Sequence, residues 1–127
     1  MLLYVTVGTN DPASAGLFYD AALAPLGLVR RQQSGSDIGY AHPDDSRCRL
    51  WVVAPYDGHP ASFGNGVTIA LEAASRTAVD AFHAAGLRMG GTCEGEPGLR
   101  PFHPTFYAAF LRDLDGNKIA AVCERVE

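Results

Sequence analysis

The stretch RDLDGNKIAAVCE, residues 112–124, decides how the rest of the chain is read. Asp115-Gly116 is a tight-turn dipeptide, because glycine accepts positive φ without steric cost. A strand over Lys118–Glu124 follows it, and a strand over Phe106–Arg112 precedes it. Two consecutive alanines, Ala120 and Ala121, make the last strand small and unreactive. What such a strand can contribute to a site is therefore the central question.

Working backwards, a strand is expected over Arg88–Cys93 and a helix over SRTAVDAFHAAGL, with Ser75 as its N-cap. Ala78, Val79, Phe82 and Ala85 give that helix one apolar side. The preceding GVTIALEA alternates as a half-buried strand does. The first half has the same plan. LLYVTVG alternates, and Asn10 or Asp11 with Pro12 starts a helix whose stripe is Ala15, Phe18, Tyr19, Ala22 and Leu26. Strands over Leu28–Gln33, Ile38–His42 and Arg47–Val53 follow, separated by the turn formers SGSD and PDDS. The aperiodic segment 54–66, rich in glycine and proline, joins the halves. The expected architecture is one α+β domain over residues 1–127. It comprises a βαβββ module over about 1–55, a connector over 56–64 and a second βαβββ module over about 65–127.

A chain of 127 residues, 47% hydrophobic and 19% charged, suits one globular domain. Its net charge of −4 offers no footprint for nucleic acid. No apolar run approaches the roughly 20 residues of a membrane span, and the start lacks a basic segment and a cleavage site. Cys48, Cys93 and Cys123 are an odd, widely spaced set without a CxxC pair, which reads as reduced thiols in a cytoplasmic protein. No glycine-rich phosphate motif is present.

Strand parity divides the candidates. The odd-numbered residues of the opening, middle and closing strands are the more apolar: Leu3, Val5 and Val7; Val67, Ile69 and Leu71; Ile119, Ala121 and Cys123. That face should meet the helices. The even face carries Tyr4, Thr6 and Gly8; Thr68, Ala70 and Glu72; Lys118, Ala120 and Val122, and its hydroxyls and small residues suit a concave wall.

The stretches YVTVGTNDPASAGLFYDAALAPLGL, SRTAVDAFHAAGL and PGLRPFHPTFYAAFLRDLDGNKIAAVC span nearly the whole chain. In combination they resemble the vicinal oxygen chelate superfamily, which includes glyoxalase I, bleomycin-resistance proteins, fosfomycin-resistance enzymes and extradiol dioxygenases. The resemblance implies a curved, half-open mixed sheet around a pocket with helices outside, and often a homodimer. Enzymes of this superfamily hold one divalent metal through histidine and carboxylate side chains on the first and last strands of each module. The corresponding positions here are Tyr4, Thr68, Ala120 and a residue near Trp51 or Val53, none of them a normal ligand. No metal or other cofactor is therefore expected.

Without a metal, the pocket candidates are Tyr4, Thr6, Tyr40, Trp51 and Thr68, whose rings and hydroxyls can orient a small organic molecule. The proline-stiffened GEPGLRPFHPTFY adds Arg100 for an anion, His103 at the rim and Tyr107 for a hydroxyl. Arg100 has a local alternative in pairing with Glu94 or Glu96. Three functions remain open: a metal-free small-molecule binder resembling bleomycin-resistance proteins, an enzyme, or a structural protein whose own side chains fill the cavity. The enzyme would be either a divalent-metal lyase, isomerase or dioxygenase, or a metal-free catalyst using Arg100, His103 and Tyr107.

Overall fold

A computed structural model describes residues 1–127. The chain runs β1 (Val5–Gly8), α1 (Pro12–Leu23), β2 (Val29–Ser34), β3 (Asp37–Ala41), β4 (Leu50–Val53), β5 (Ile69–Glu72), α2 (Arg76–Arg88), β6 (Thr92–Leu99), β7 (Tyr107–Arg112) and β8 (Lys118–Cys123). A single 3-10 turn over Ala24–Leu26 extends α1 and ends at Gly27, whose φ of 78° lets the chain reverse.

Local chemistry sets these boundaries. The Asp11 carboxylate accepts from Ser14 N at 3.2 Å, and Pro12 occupies the first helical position. Ser75 Oγ caps α2 by accepting from Ala78 N at 3.0 Å. Each helix then buries its expected stripe: Ala15, Phe18, Tyr19 and Ala22 on α1, and Val79, Phe82 and Ala85 on α2.

The strands form two open four-stranded mixed sheets, ordered β1-β4-β3-β2 and β5-β8-β7-β6. In each sheet the first strand of the module pairs in parallel with the last, and the remaining pairs are antiparallel. The repeat inferred from pattern is thus a repeat of topology. One core cluster of 20 buried residues draws on both modules, joining Phe18, Tyr19 and Val52 to Phe82, Leu111 and Ile119.

The 112–124 hairpin is also the bolt between modules. Gly116 takes φ 88° in the turn. The nearly buried Asp113 carboxylate accepts from Asp115 N at 2.9 Å, Asn117 N at 2.8 Å and Asn117 Nδ2 at 2.9 Å. It also accepts from the Tyr19 hydroxyl of α1 at 2.6 Å. Asn117 Nδ2 donates a second bond to the Gly8 carbonyl at the end of β1, at 2.9 Å.

Two strand expectations need correction. The span 88–93 is not a strand: Arg88 closes α2, Gly90 turns with φ 96°, and β6 runs from Thr92 to Leu99 through Pro97. Proline is tolerated there because β6 is the edge strand, where a missing N–H disrupts no inner ladder. The register against β7 shifts twice, between Cys93 and Gly95 and between Gly95 and Gly98. In module one, β4 begins at Leu50 rather than Arg47. The odd-face assignment holds within the strands, with Val7, Ile119, Ala121 and Cys123 buried and Val5, Ile69 and Leu71 packed on the core. Leu3 and Val67 precede their strands and are exposed. No helix is long and apolar enough to cross a membrane.

Candidate functional site

The concave face of the first module borders an open hollow of about 590 Å³ whose wall includes Tyr4, Thr6, Trp51 and Val53. Thr6 and Trp51 are register partners on the parallel β1–β4 pair, which fixes their side chains on one face. Trp51 in turn lies opposite Gly39 on β3. A Cβ at Gly39 would come 2.9 Å from Trp51 Cη2 and 2.8 Å from Cys48 Sγ. The missing side chain therefore lets the indole lie down against the sheet as the floor of the hollow.

The rim is polar and carries Arg31, Asp37, Ser46 and Arg47. Arg31 is held by the carbonyls of His42 and Asp45, both of which accept from its Nη1. The guanidinium of Arg47 has no hydrogen-bond or carboxylate partner in the protein; only its backbone N–H is engaged, with Asp45 Oδ1 at 3.1 Å. A free, always-charged planar fork beside an aromatic floor is an arrangement that can hold an organic anion.

Of the residues expected at the pocket, Tyr4, Thr6 and Trp51 meet there and the others do not. Tyr40 is fully buried on the opposite face, donating to Asp20 Oδ1 at 2.8 Å with the Gly16 carbonyl 3.2 Å away. Because Gly39 takes the concave side beneath Trp51, its neighbour Tyr40 must point at α1. Burial, then the Asp20 hydrogen bond, raises the Tyr40 pKa well above that of a free phenol. Tyr107 also faces the helices, sharing parity with Ala109 and Leu111. Its hydroxyl donates to Asp80 Oδ1 at 2.7 Å, and that bond, with some burial, raises its pKa. Thr68 is exposed ahead of β5 and lies outside the hollow.

Arg100 and His103 belong to module two. Arg100 Nη1 and Nη2 donate to the carbonyls of Gly98 at 2.9 Å and Glu96 at 2.7 Å, while its guanidinium sits 5.4 Å from the Phe110 ring centre. The Glu94 carboxylate instead accepts from Arg112 Nε at 2.6 Å. Lys118 Nζ also lies over Phe110, at 5.2 Å. Ala120 is fully buried between its register partners Ala70 and Phe110. Its small side chain leaves room for that aromatic neighbour. His103 pairs with Glu124 on the surface.

The chain is 41% identical to a glyoxalase/bleomycin resistance protein from Albidiferax ferrireducens T118, over 94% of this chain and 95% of that one, with a TM-score of 0.82. The chain belongs to the glyoxalase/bleomycin resistance protein family. Two further solved structures share the fold. One is a glyoxalase/bleomycin resistance protein/dioxygenase family enzyme from Burkholderia phytofirmans PsJN, 19% identical over 96% of this chain and 97% of that one, TM-score 0.71. The other is a lactoylglutathione lyase from Agrobacterium tumefaciens, 16% identical over 97% and 92%, TM-score 0.64. No family model and no curated protein sequence matches the chain.

This glyoxalase/bleomycin resistance protein family member departs from the metal chemistry that the resemblance implies. The positions that the resemblance equates with ligands carry a half-exposed tyrosine, a threonine, a buried alanine and an indole or valine. Nowhere do three His, Cys, Asp or Glu side chains converge at metal-binding distance. The histidines are dispersed: His42 Nδ1 lies 3.1 Å from the Gly27 carbonyl, His59 sits near Asp57, His83 packs beside Cys93, and His103 pairs with Glu124. These residues do not fit a divalent ion.

Sequence reading missed Arg31, Arg47 and Gly39. Gly39 was legible in principle, since a glycine register-paired with a tryptophan marks close approach. The arginines were not, because β2 bulges between Arg30 and Gln32 and breaks strand parity there, and Arg47 precedes β4.

Proposed function

We propose that the protein binds a small organic molecule with a flat face and an anionic group in the hollow of its first module, without a divalent metal. The observation that carries this reading is the pairing of Trp51, laid flat over Gly39, with the unpartnered guanidinium of Arg47 on the same hollow. The ring supplies contact area with few rotamers to freeze, and the fork fixes the ligand's direction. Tyr4 and Thr6 add hydroxyls at the wall. A metal-free reaction through Arg100, His103 and Tyr107 finds no support, since their polar groups engage three separate sets of partners. The family likeness supports a homodimer, and three free cysteines support a reducing, cytoplasmic setting.

Thermal unfolding with benzoate, salicylate and indole-3-acetate in EDTA tests the binding. A ligand at a hundred times its Kd stabilises the native state by about 2.7 kcal/mol. The expected result is a rise in melting temperature with at least one compound, lost in Arg47→Ala. No shift with any compound, or a shift that requires added divalent metal, overturns the reading.

A further inference from the structure

On the helix side of the second module, away from the hollow, an imidazole and a thiol meet. His83 of α2 is 7% exposed, and its Nε2 lies 3.2 Å from Cys93 Sγ. Cys93 is the register partner of Leu111, a core residue, so its side chain turns toward α2. Its strand β6 is the sheet edge, and Cys93 is exposed. The other two thiols differ on both counts. Cys48 is buried with the Gln32 amide 3.9 Å away, and Cys123 is buried with its Sγ 3.4 Å from Glu127 Oε2. Only Cys93 joins access from solvent to a base within hydrogen-bond reach.

We propose that Cys93 is a modification site, a thiol that His83 activates to exchange with low-molecular-weight disulfides. The Sγ–H proton passes to His83 Nε2, and the thiolate attacks one sulfur of the incoming disulfide. The S–S bond breaks as the Cys93 S–S bond forms, and the displaced thiolate leaves with the proton held by His83. One disulfide is consumed, one thiol is released, and Cys93 carries the other half as a mixed disulfide. Burial favours the neutral form of His83, and the Glu96 and Asp80 carboxylates, which pull the other way, steady the imidazolium formed when Nε2 takes the proton. Both other cysteines are buried, so the mixed disulfide is the end product rather than an internal bridge.

The test is incubation of the native protein with glutathione disulfide at neutral pH, followed by intact mass and peptide mapping. One adduct is expected, on Cys93, forming about tenfold or more faster than on a peptide of residues 88–99, as suits an activated thiol. Cys93→Ser abolishes it. His83→Gln slows it about tenfold, with circular dichroism confirming that the variant is folded. Should that variant not fold, the peptide comparison decides alone. A native rate no faster than the peptide's, a folded His83→Gln variant as fast as wild type, or an adduct on Cys48 or Cys123 overturns the proposal.

Discussion

Gly39 and Trp51 are a pair in which the smallest residue makes room for the largest, and the hollow depends on both. Gly39→Ala would drive a methyl group into the indole and the Cys48 thiol. Overpacking of this kind costs about 1–3 kcal/mol, and the indole must lift off β3. The expected outcome is a lower urea midpoint together with a shifted Trp51 emission, which fluorescence reads cleanly because the chain has one tryptophan. Tyr19 gives a second test at this scale. Burial, then the Asp113 carboxylate, raises its pKa well above 10. A raised folded-state pKa contributes stability that is complete below the unfolded value, about 10, and is lost as pH climbs beyond it. Denaturant titrations should therefore show stability falling above about pH 10. In Tyr19→Phe that alkaline loss should be smaller. The variant should also be less stable at neutral pH by about 1 kcal/mol, the lower end for a lost bond to a carboxylate that keeps other donors.

At the scale of elements, the 112–124 hairpin does more than reverse the chain. Its turn was legible because Asp-Gly states its own backbone requirement. Its role as a joint was not, because the partners of Asp113 and Asn117 on α1 and β1 are about a hundred residues away in sequence. Asn117→Ala removes donors to both Asp113 and the Gly8 carbonyl. The expected cost is about 1–3 kcal/mol in urea unfolding, and a value near zero would show that the modules are held by apolar contact alone. Helices were read well for the opposite reason: their caps and stripes are local, and Asp11, Ser75 and the Phe18 and Phe82 faces behave as expected. β6 was misread because proline argues against an inner strand, and only the sheet order reveals that this strand sits at an edge.

For the whole molecule, alternation on the first, middle and last strands was enough to find the two-module plan and to tell the helix side from the hollow. It was not enough to choose between the concave faces of the two modules. Module two turns Phe110, Arg100 and Lys118 onto its own concave face, whereas module one leaves Trp51 beside an unpaired arginine. The proposed homodimer is checked by light scattering, which should return twice the 13.5 kDa chain mass. The central claim is that the first hollow grips an organic anion without help from a metal. Titration of Trp51 fluorescence with aromatic carboxylates in EDTA tests it most directly. The account predicts a saturable change that is unaltered by the chelator and abolished in Arg47→Ala. A flat titration, or one that saturates only after a divalent ion is supplied, would contradict it.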